Sequence, residues 1–439
     1  MDEFTPWTLF TDVGIISLLL LLGKFIRVKI EIAQRYFIPP SLMAGFMGLA
    51  FGPGGLGWLP LSNNMGTYAS ILIAFIFGCL PFASETNSTK RGSRVKRMWI
   101  YSQTGMLLQW AFGALAGISI LSVFWPVAPY FGLSLPSGFC GGHGTAAAIG
   151  QAFNKMGGDD MMTLAMTCAT IGILCSVFIG LALIKWGTKK GNTTFLTTFD
   201  DLPHELRTGL LPTDKRRSMG ESSTSPISID SLAFNLSIIA MVALGGYTIS
   251  KGVSYFMPQL EMPVFSCAFV FGILMHFAFK KTGALHYTSP RIIGHLSGAF
   301  TDFLVAFGIS SIKLSVVMNY IIPLSILVVF GLLFTLFYVL LVGKWLMKDD
   351  CWFEKALFTW GWFTGTVAMG IAMLRVADPE QKSHCMEDYA IAYLFIAPVE
   401  ICLITFAPVA FANGYGLHFG ILALITGVCI MTYAWIKKQ

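Results

Sequence analysis

Charge is scarce in these 439 residues: only 12% are Asp, Glu, Lys or Arg, against roughly a quarter in soluble domains. That deficit excludes one large water-soluble core. The nine cysteines contain no C-x-x-C pair, which argues against a zinc site or a disulfide framework. Cys168, Cys175, Cys267, Cys402 and Cys429 fall inside apolar runs and read as small core residues. The motifs of intramembrane hydrolysis are also missing: there is no His-Glu-x-x-His, no Gly-x-Gly-Asp and no nucleophile with its base, and MGGDD at Met156–Asp160 has the wrong order. No enzyme is expected, and no cofactor. The net charge of +6 is scattered through short loops, so nucleic acid is not expected as a partner. Met1–Trp7 is acidic and lacks a positive n-region, so no cleavable signal peptide is expected.

What the chain has instead is apolar length. It is 55% hydrophobic with a mean hydropathy of +0.69. A spanning helix needs about 20 apolar residues. Candidates are Thr8–Ile26, Ile38–Gly52, Gly66–Phe82, Met98–Trp125 and Met161–Lys185 in the first half. The second half offers Ser231–Ser250, Met262–Phe279, Ile293–Ile312, Val316–Gly343, Glu387–Phe411 and Leu417–Ile436. Two further apolar segments, 135–153 and 353–375, are too rich in Gly and polar groups for simple spans. The expected fold class is an all-α polytopic membrane protein in contact with lipid.

Basic residues set the orientation. Lys24, Arg27, Lys29 and Arg35 follow the first span; Lys90, Arg91, Arg94, Lys96 and Arg97 crowd a later loop. Lys185, Lys189, Lys190, Lys280, Lys281, Lys344, Lys348, Lys437 and Lys438 continue the alternation. All fall on one side if the N-terminus is outside, the C-terminus is cytoplasmic, and each odd segment leaves on the side it entered. The first then dips in from outside and the second from the cytoplasm. The bookkeeping implies two five-helix repeats of opposite topology, residues 1–186 and 231–411, joined by a Ser-, Thr- and charge-rich cytoplasmic linker, 187–230, with Lys215, Arg216 and Arg217. Residues 412–439 form an extra span. Local echoes agree: Pro39 then Gly48 against Pro263 then Gly272, and Gly144–Thr145–Ala146–Ala147 against Gly365–Thr366–Val367–Ala368.

The glycines around His143 organise the functional reading. Pro136 to Phe153 reads PSGFCGGHGTAAAIGQAF, and glycine-rich backbone is tolerated at membrane depth only where protein buries it or where it lines a watery cavity. Such broken segments form the substrate and ion sites of secondary transporters. A channel also uses re-entrant loops, but two inverted halves in one chain favour alternating access.

GGHGTAAA at Gly141–Ala148, MTCATIG at Met166–Gly172, IPPSLMAG at Ile38–Gly45, MPVFSCAFVFG at Met262–Gly272 and IKL at Ile312–Leu314 resemble the bacterial sodium/glutamate symporter family. The resemblance runs in order over most of the chain. It implies two inverted halves with a re-entrant hairpin in each, a homodimer in the bacterial inner membrane, and sodium-coupled uptake of glutamate or a similar acidic amino acid. The second hairpin departs from the family: WGWFTGTVAMGIAM at Trp360–Met373 puts Trp362 and Phe363 where small residues are expected. That departure leaves a proton- or sodium-coupled carrier of another organic anion as the alternative.

The chemistry follows from the tips. A helix beginning after a Gly turn offers free backbone N–H groups and a positive dipole end to a carboxylate. Gly141, Gly142, His143, Gly144 and Thr145 are the expected substrate contacts on the first hairpin, and Gly365 and Thr366 on the second. Sodium prefers hard oxygens, so the hydroxyls of Thr167, Thr170, Ser310 and Thr366 are candidate ligands. Asp302 and Glu400 lie in apolar spans, where an acid is expensive, and are candidates for cation coupling or for pairing with Lys313 or Arg375.

Overall fold

In a computed structural model, the described residues are 4–35, 38–83, 92–154, 156–195, 208, 210, 212–213, 218–225, 227–256, 264–378 and 382–438. Lys90, Arg91, Lys215, Arg216, Arg217, Met262 and Pro263 lie outside them, as do the side chains of Arg35, Arg375, Lys437 and Lys438. The chain is all-helical, with no strand among the described residues. The helices used below are α1 Pro6–Lys29, α2 Pro40–Phe51, α3 Met65–Ala83, α4 Gly92–Ala116, α5 Ser134–Phe139, α6 Gly142–Asn154 and α7 Met161–Lys189. They continue with α8 Ser231–Phe256, α9 Val264–Thr282, α10 Pro290–Ser310, α11 Ile321–Phe337, α12 Trp352–Thr364, α13 Val367–Ala377, α14 Cys385–Ala412 and α15 Gly416–Lys438.

Ten helices among the described residues are long and apolar enough to cross a membrane. They correspond to ten of the eleven expected spans. The eleventh, Ile38–Gly52, is corrected: its helix has 12 residues, about 18 Å of rise against roughly 30 Å of hydrocarbon. Pro40 starts it, and the turn at 52–55 ends it. The expected span Val316–Gly343 also begins late. A separate turn of helix, Leu314–Asn319, precedes Tyr320, and α11 starts at Ile321. Pro323 has no N–H to return to Asn319, so a continuous ladder through this point would lack a bond.

By compactness the chain divides into two units, each drawing on both halves of the sequence. The first comprises residues 1–24, 40–87 and 210–311, and its described core is α1, α2, α3, α8, α9 and α10. Small residues let these helices approach closely. A Cβ at Gly45 would stand 2.6 Å from that of Ile309, one at Gly48 would strike Ser310, and one at Gly246 would strike the backbone of Ala268. A buried carboxylate ties α1 to α3: Asp12 accepts from Ser62 N (2.9 Å), Ser62 Oγ (2.5 Å) and Tyr68 OH (2.9 Å).

The second unit, residues 25–39, 88–209 and 312–439, holds α4 to α7 and α11 to α15. Tyr101 of α4 and Tyr338 stack at 5.5 Å, and each hydroxyl donates to a backbone carbonyl: Tyr101 OH to Val339 O and Tyr338 OH to Tyr101 O. A π-turn at Tyr338–Val342, just past α11, shapes the backbone there. The foot of α12 is fixed by ions. Lys355, 1% exposed, reaches Asp350 at 2.7 Å and Asp388 at 3.2 Å, while Arg97 and Arg94 meet the same two acids. Glu354 beside it accepts from Thr194 N and Oγ1.

Candidate functional site

The site is built on α7, against which two broken helices are laid from its two ends. α5 runs alongside it: a Cβ at Gly138 would meet Ala169 N at 2.5 Å and Ala165 O at 2.7 Å. The chain breaks at Cys140–Gly141 and returns as α6, antiparallel to α7, with His143 bonded to Thr170 and Gly150 against Met162. α12 enters from the other end. Phe353 packs on Gly187, Trp360 Nε1 donates to Ser176 O at 3.1 Å, and the Thr364 carbonyl fits against Gly172. After Gly365 and Thr366 the chain turns back as α13, where Met373 packs on Gly180. Gly361 and Gly370 face one another between α12 and α13, so the two arms lie backbone to backbone.

The two bends therefore meet beside the middle of α7. Gly142 has φ +60°, and a Cβ there would stand 2.5 Å from Thr366 Cγ2 and 2.8 Å from Gly365 O. Only glycine takes that conformation without strain and leaves that space. Both bends end in helix starts, α6 at Gly142 and α13 at Val367, whose first amides have no intrahelical acceptor. Thr366 caps α13, its hydroxyl oxygen accepting from Met369 N at 3.4 Å. Thr145 is buried beside Gly141. The meeting point is thus a small patch of inward-facing backbone donors carrying two positive helix ends.

Thr167 and Thr170 line the same stretch of α7. Each hydroxyl donates back one turn, Thr167 to Thr163 O at 2.7 Å and Thr170 to Met166 O at 2.9 Å. The protons are committed, and the oxygen lone pairs are what remains for a cation. Glu400 on α14 is buried; Tyr393 OH donates to it at 3.2 Å, and Cys140 at the first bend lies within its electrostatic reach. Gly141, Gly142, His143, Gly144, Thr145, Thr167, Thr170, Gly365, Thr366 and Glu400 all belong to this second unit. Asp302 and Ser310 belong to the first, where Ser310 Oγ donates to Ala306 O at 2.8 Å. Among the described residues Glu400 forms no ion pair with Lys313 of the same unit.

Trp362 and Phe363, which stand where small residues are expected, are turned into the unit's interior. Trp362 packs edge-on against Tyr389 of α14 at 5.1 Å, and Phe363 fits against Gly105 of α4 and Tyr338. Gln109 escaped sequence reasoning. It is fully buried on α4 and donates from Nε2 to Phe363 O and to Thr335 Oγ1, both at 3.0 Å, holding the end of α12. An amide inside an apolar span was the available signal. No cluster of three or more His, Cys, Asp or Glu that could hold a metal occurs among the described residues.

Comparison with known proteins decides the class. The model of the sodium/glutamate symporter family matches residues 8–368. The chain belongs to that family. Membership implies a multi-pass membrane transporter rather than an enzyme, with sodium as the fitting coupling ion. A search of curated proteins finds no match. Among solved structures, this symporter-family chain is similar to the sodium proton antiporter MjNhaP1 from Methanocaldococcus jannaschii at pH 8. The identity is 16%, 97% of this chain and 99% of that chain are covered, and the TM-score is 0.38.

Proposed function

We propose that this symporter-family member takes up glutamate, or a closely similar acidic amino acid, together with sodium, by alternating access around the two bends. The supporting observation is their meeting: two glycine breaks, 223 positions apart (365 minus 142), approach to van der Waals distance beside Thr170. Backbone amides of Gly142, His143 and Gly144, with Thr145 Oγ1, take one carboxylate; those of Val367 and Ala368, with Gly365 and Thr366, take the other. Sodium sits on the free lone pairs of Thr167 and Thr170 with nearby carbonyls, and Glu400 supplies negative charge close to the first bend. Asp302 and Ser310 are the candidate coupling residues of the other unit. The hairpins are re-entrant from opposite leaflets, within inverted repeats at 1–186 and 231–411 joined by the linker 187–230, with residues 412–439 as an extra helix. The protein works as a homodimer in the bacterial inner membrane, N-terminus outside.

Closure has a physical basis. Separated bends expose unpaired amides, which water or an anion must satisfy; joined bends bury them around the substrate. The test is uptake of labelled glutamate into proteoliposomes with and without a sodium gradient, competed by aspartate, malate and citrate. Accumulation driven by sodium and blocked best by acidic amino acids is expected. Equal uptake without sodium, or displacement by malate alone, would assign the site to another anion or another coupling ion.

A further inference from the structure

His143 is the second residue of α6, next to the meeting point, and is 1% exposed. Its Nε2 lies 3.0 Å from Thr170 Oγ1. The threonine hydroxyl has one proton, and that proton goes to the Met166 carbonyl, which can only accept. Thr170 Oγ1 must then accept from the histidine. The bond network thus assigns the ring's hydrogen to Nε2 and leaves a lone pair on Nδ1. That Nδ1 is buried without a partner. Among the described residues no carboxylate forms an ion pair with the ring, and an uncompensated imidazolium would be expensive in this interior, so the ring is neutral.

An orphaned acceptor calls for a donor. The carboxylates of the substrate only accept, and sodium is better served by the oxygens nearby. An N–H is what fits. We infer that His143 Nδ1 receives the α-ammonium of the substrate, so that this imidazole selects an amino acid over the dicarboxylate of the same length that lacks the amine. The inference rests on the transport reading above and deepens it. It also reverses the simplest role for a histidine at an anion site: the ring faces the substrate as an acceptor, and the backbone does the donating.

The experiment uses the full-length protein in proteoliposomes, with labelled glutamate as the transported probe and unlabelled glutarate, which keeps both carboxylates, as competitor. In the wild type, glutarate is expected to inhibit about tenfold more weakly than unlabelled glutamate, or weaker still, the effect of one lost charge-assisted bond. His143→Phe keeps a flat ring and removes the acceptor. It is expected to raise the glutamate KM about tenfold and to leave glutarate inhibition within about twofold, so discrimination collapses. His143→Asn, with an amide oxygen at the level of Nδ1, restores part of it. Equal inhibition by the two compounds in the wild type overturns the inference, with no variant needed. So does a His143→Phe protein that discriminates as well as the wild type. Should the wild type show no sodium-driven glutamate uptake at all, the transport reading itself falls, an outcome distinct from a transporter that ignores the amine.

Discussion

Substituting alanine at Gly142 tests the meeting of the bends with a single methyl group. Two costs add at that position. The first is conformational: φ +60° strains any residue with a Cβ by roughly 1–3 kcal/mol. The second is steric, because the new methyl would stand 2.5 Å from Thr366 Cγ2 and 2.8 Å from the Gly365 carbonyl. The threonine methyl can rotate, but the carbonyl belongs to backbone, so the bends must part by several tenths of an ångström. Overpacking of this kind costs about 1–3 kcal/mol. If joined bends are a step in the cycle, the sum of roughly 2–6 kcal/mol lowers the population of the joined state at least about thirtyfold. Gly157→Ala is the matched control: φ there is +83°, yet nothing lies within 4 Å of the added Cβ. Sodium-driven uptake, normalised to inserted protein and accompanied by thermal melting, should fall steeply for Gly142→Ala and little for Gly157→Ala. Equal effects would show that strain alone matters, and unimpaired transport by Gly142→Ala would refute the closure argument.

Other consequences follow from the packing. Lys355→Met removes the shared cation from Asp350 and the fully buried Asp388, and breaking such a pair costs about 3–5 kcal/mol; melting in detergent should drop by several degrees, and an unchanged melting point would contradict the network. Gly48→Ala should destabilise by about 1–3 kcal/mol through its clash with Ser310, and Ser310→Ala in the same chain should recover part of the loss, a coupling that additive melting shifts would disprove. Thr167→Val removes the lone pairs offered to sodium and should raise the half-saturating sodium concentration roughly tenfold, about 1.4 kcal/mol. Unaltered sodium dependence would reduce Thr167 to a residue bonding its own helix.

Helix existence was legible because apolar length is a local property: runs of about 20 residues admit little else. The departures are local in cause too. At Ile38–Gly52 the apolar stretch was too short, and at Tyr320 a proline three residues on interrupts the ladder. The glycines at 141, 142 and 365 could be singled out because they leave backbone that lipid cannot satisfy. Their approach could not be, since 2.5 Å between a Gly142 Cβ and Thr366 depends on how α6 and α12 both register against α7. Nor does an apolar pattern say which way Trp362 and Phe363 point; glycine at 105 made room for one ring and Tyr389 met the other edge-on. Asp302 and Glu400 look alike in sequence, each an acid within a span, yet they belong to different compact units. Partner identity at a distance carries no periodic signature.

The most direct measurement is the side of the membrane from which the two hairpins are reached. In a background lacking other cysteines, Asn154→Cys places a thiol at the foot of α6, and the native Cys351 stands at the foot of α12. A membrane-impermeant maleimide applied to right-side-out and inside-out vesicles should label position 154 only from outside and position 351 only from within. Labelling of both from the same side would contradict two hairpins entering from opposite leaflets, and with them the transport cycle built on their meeting.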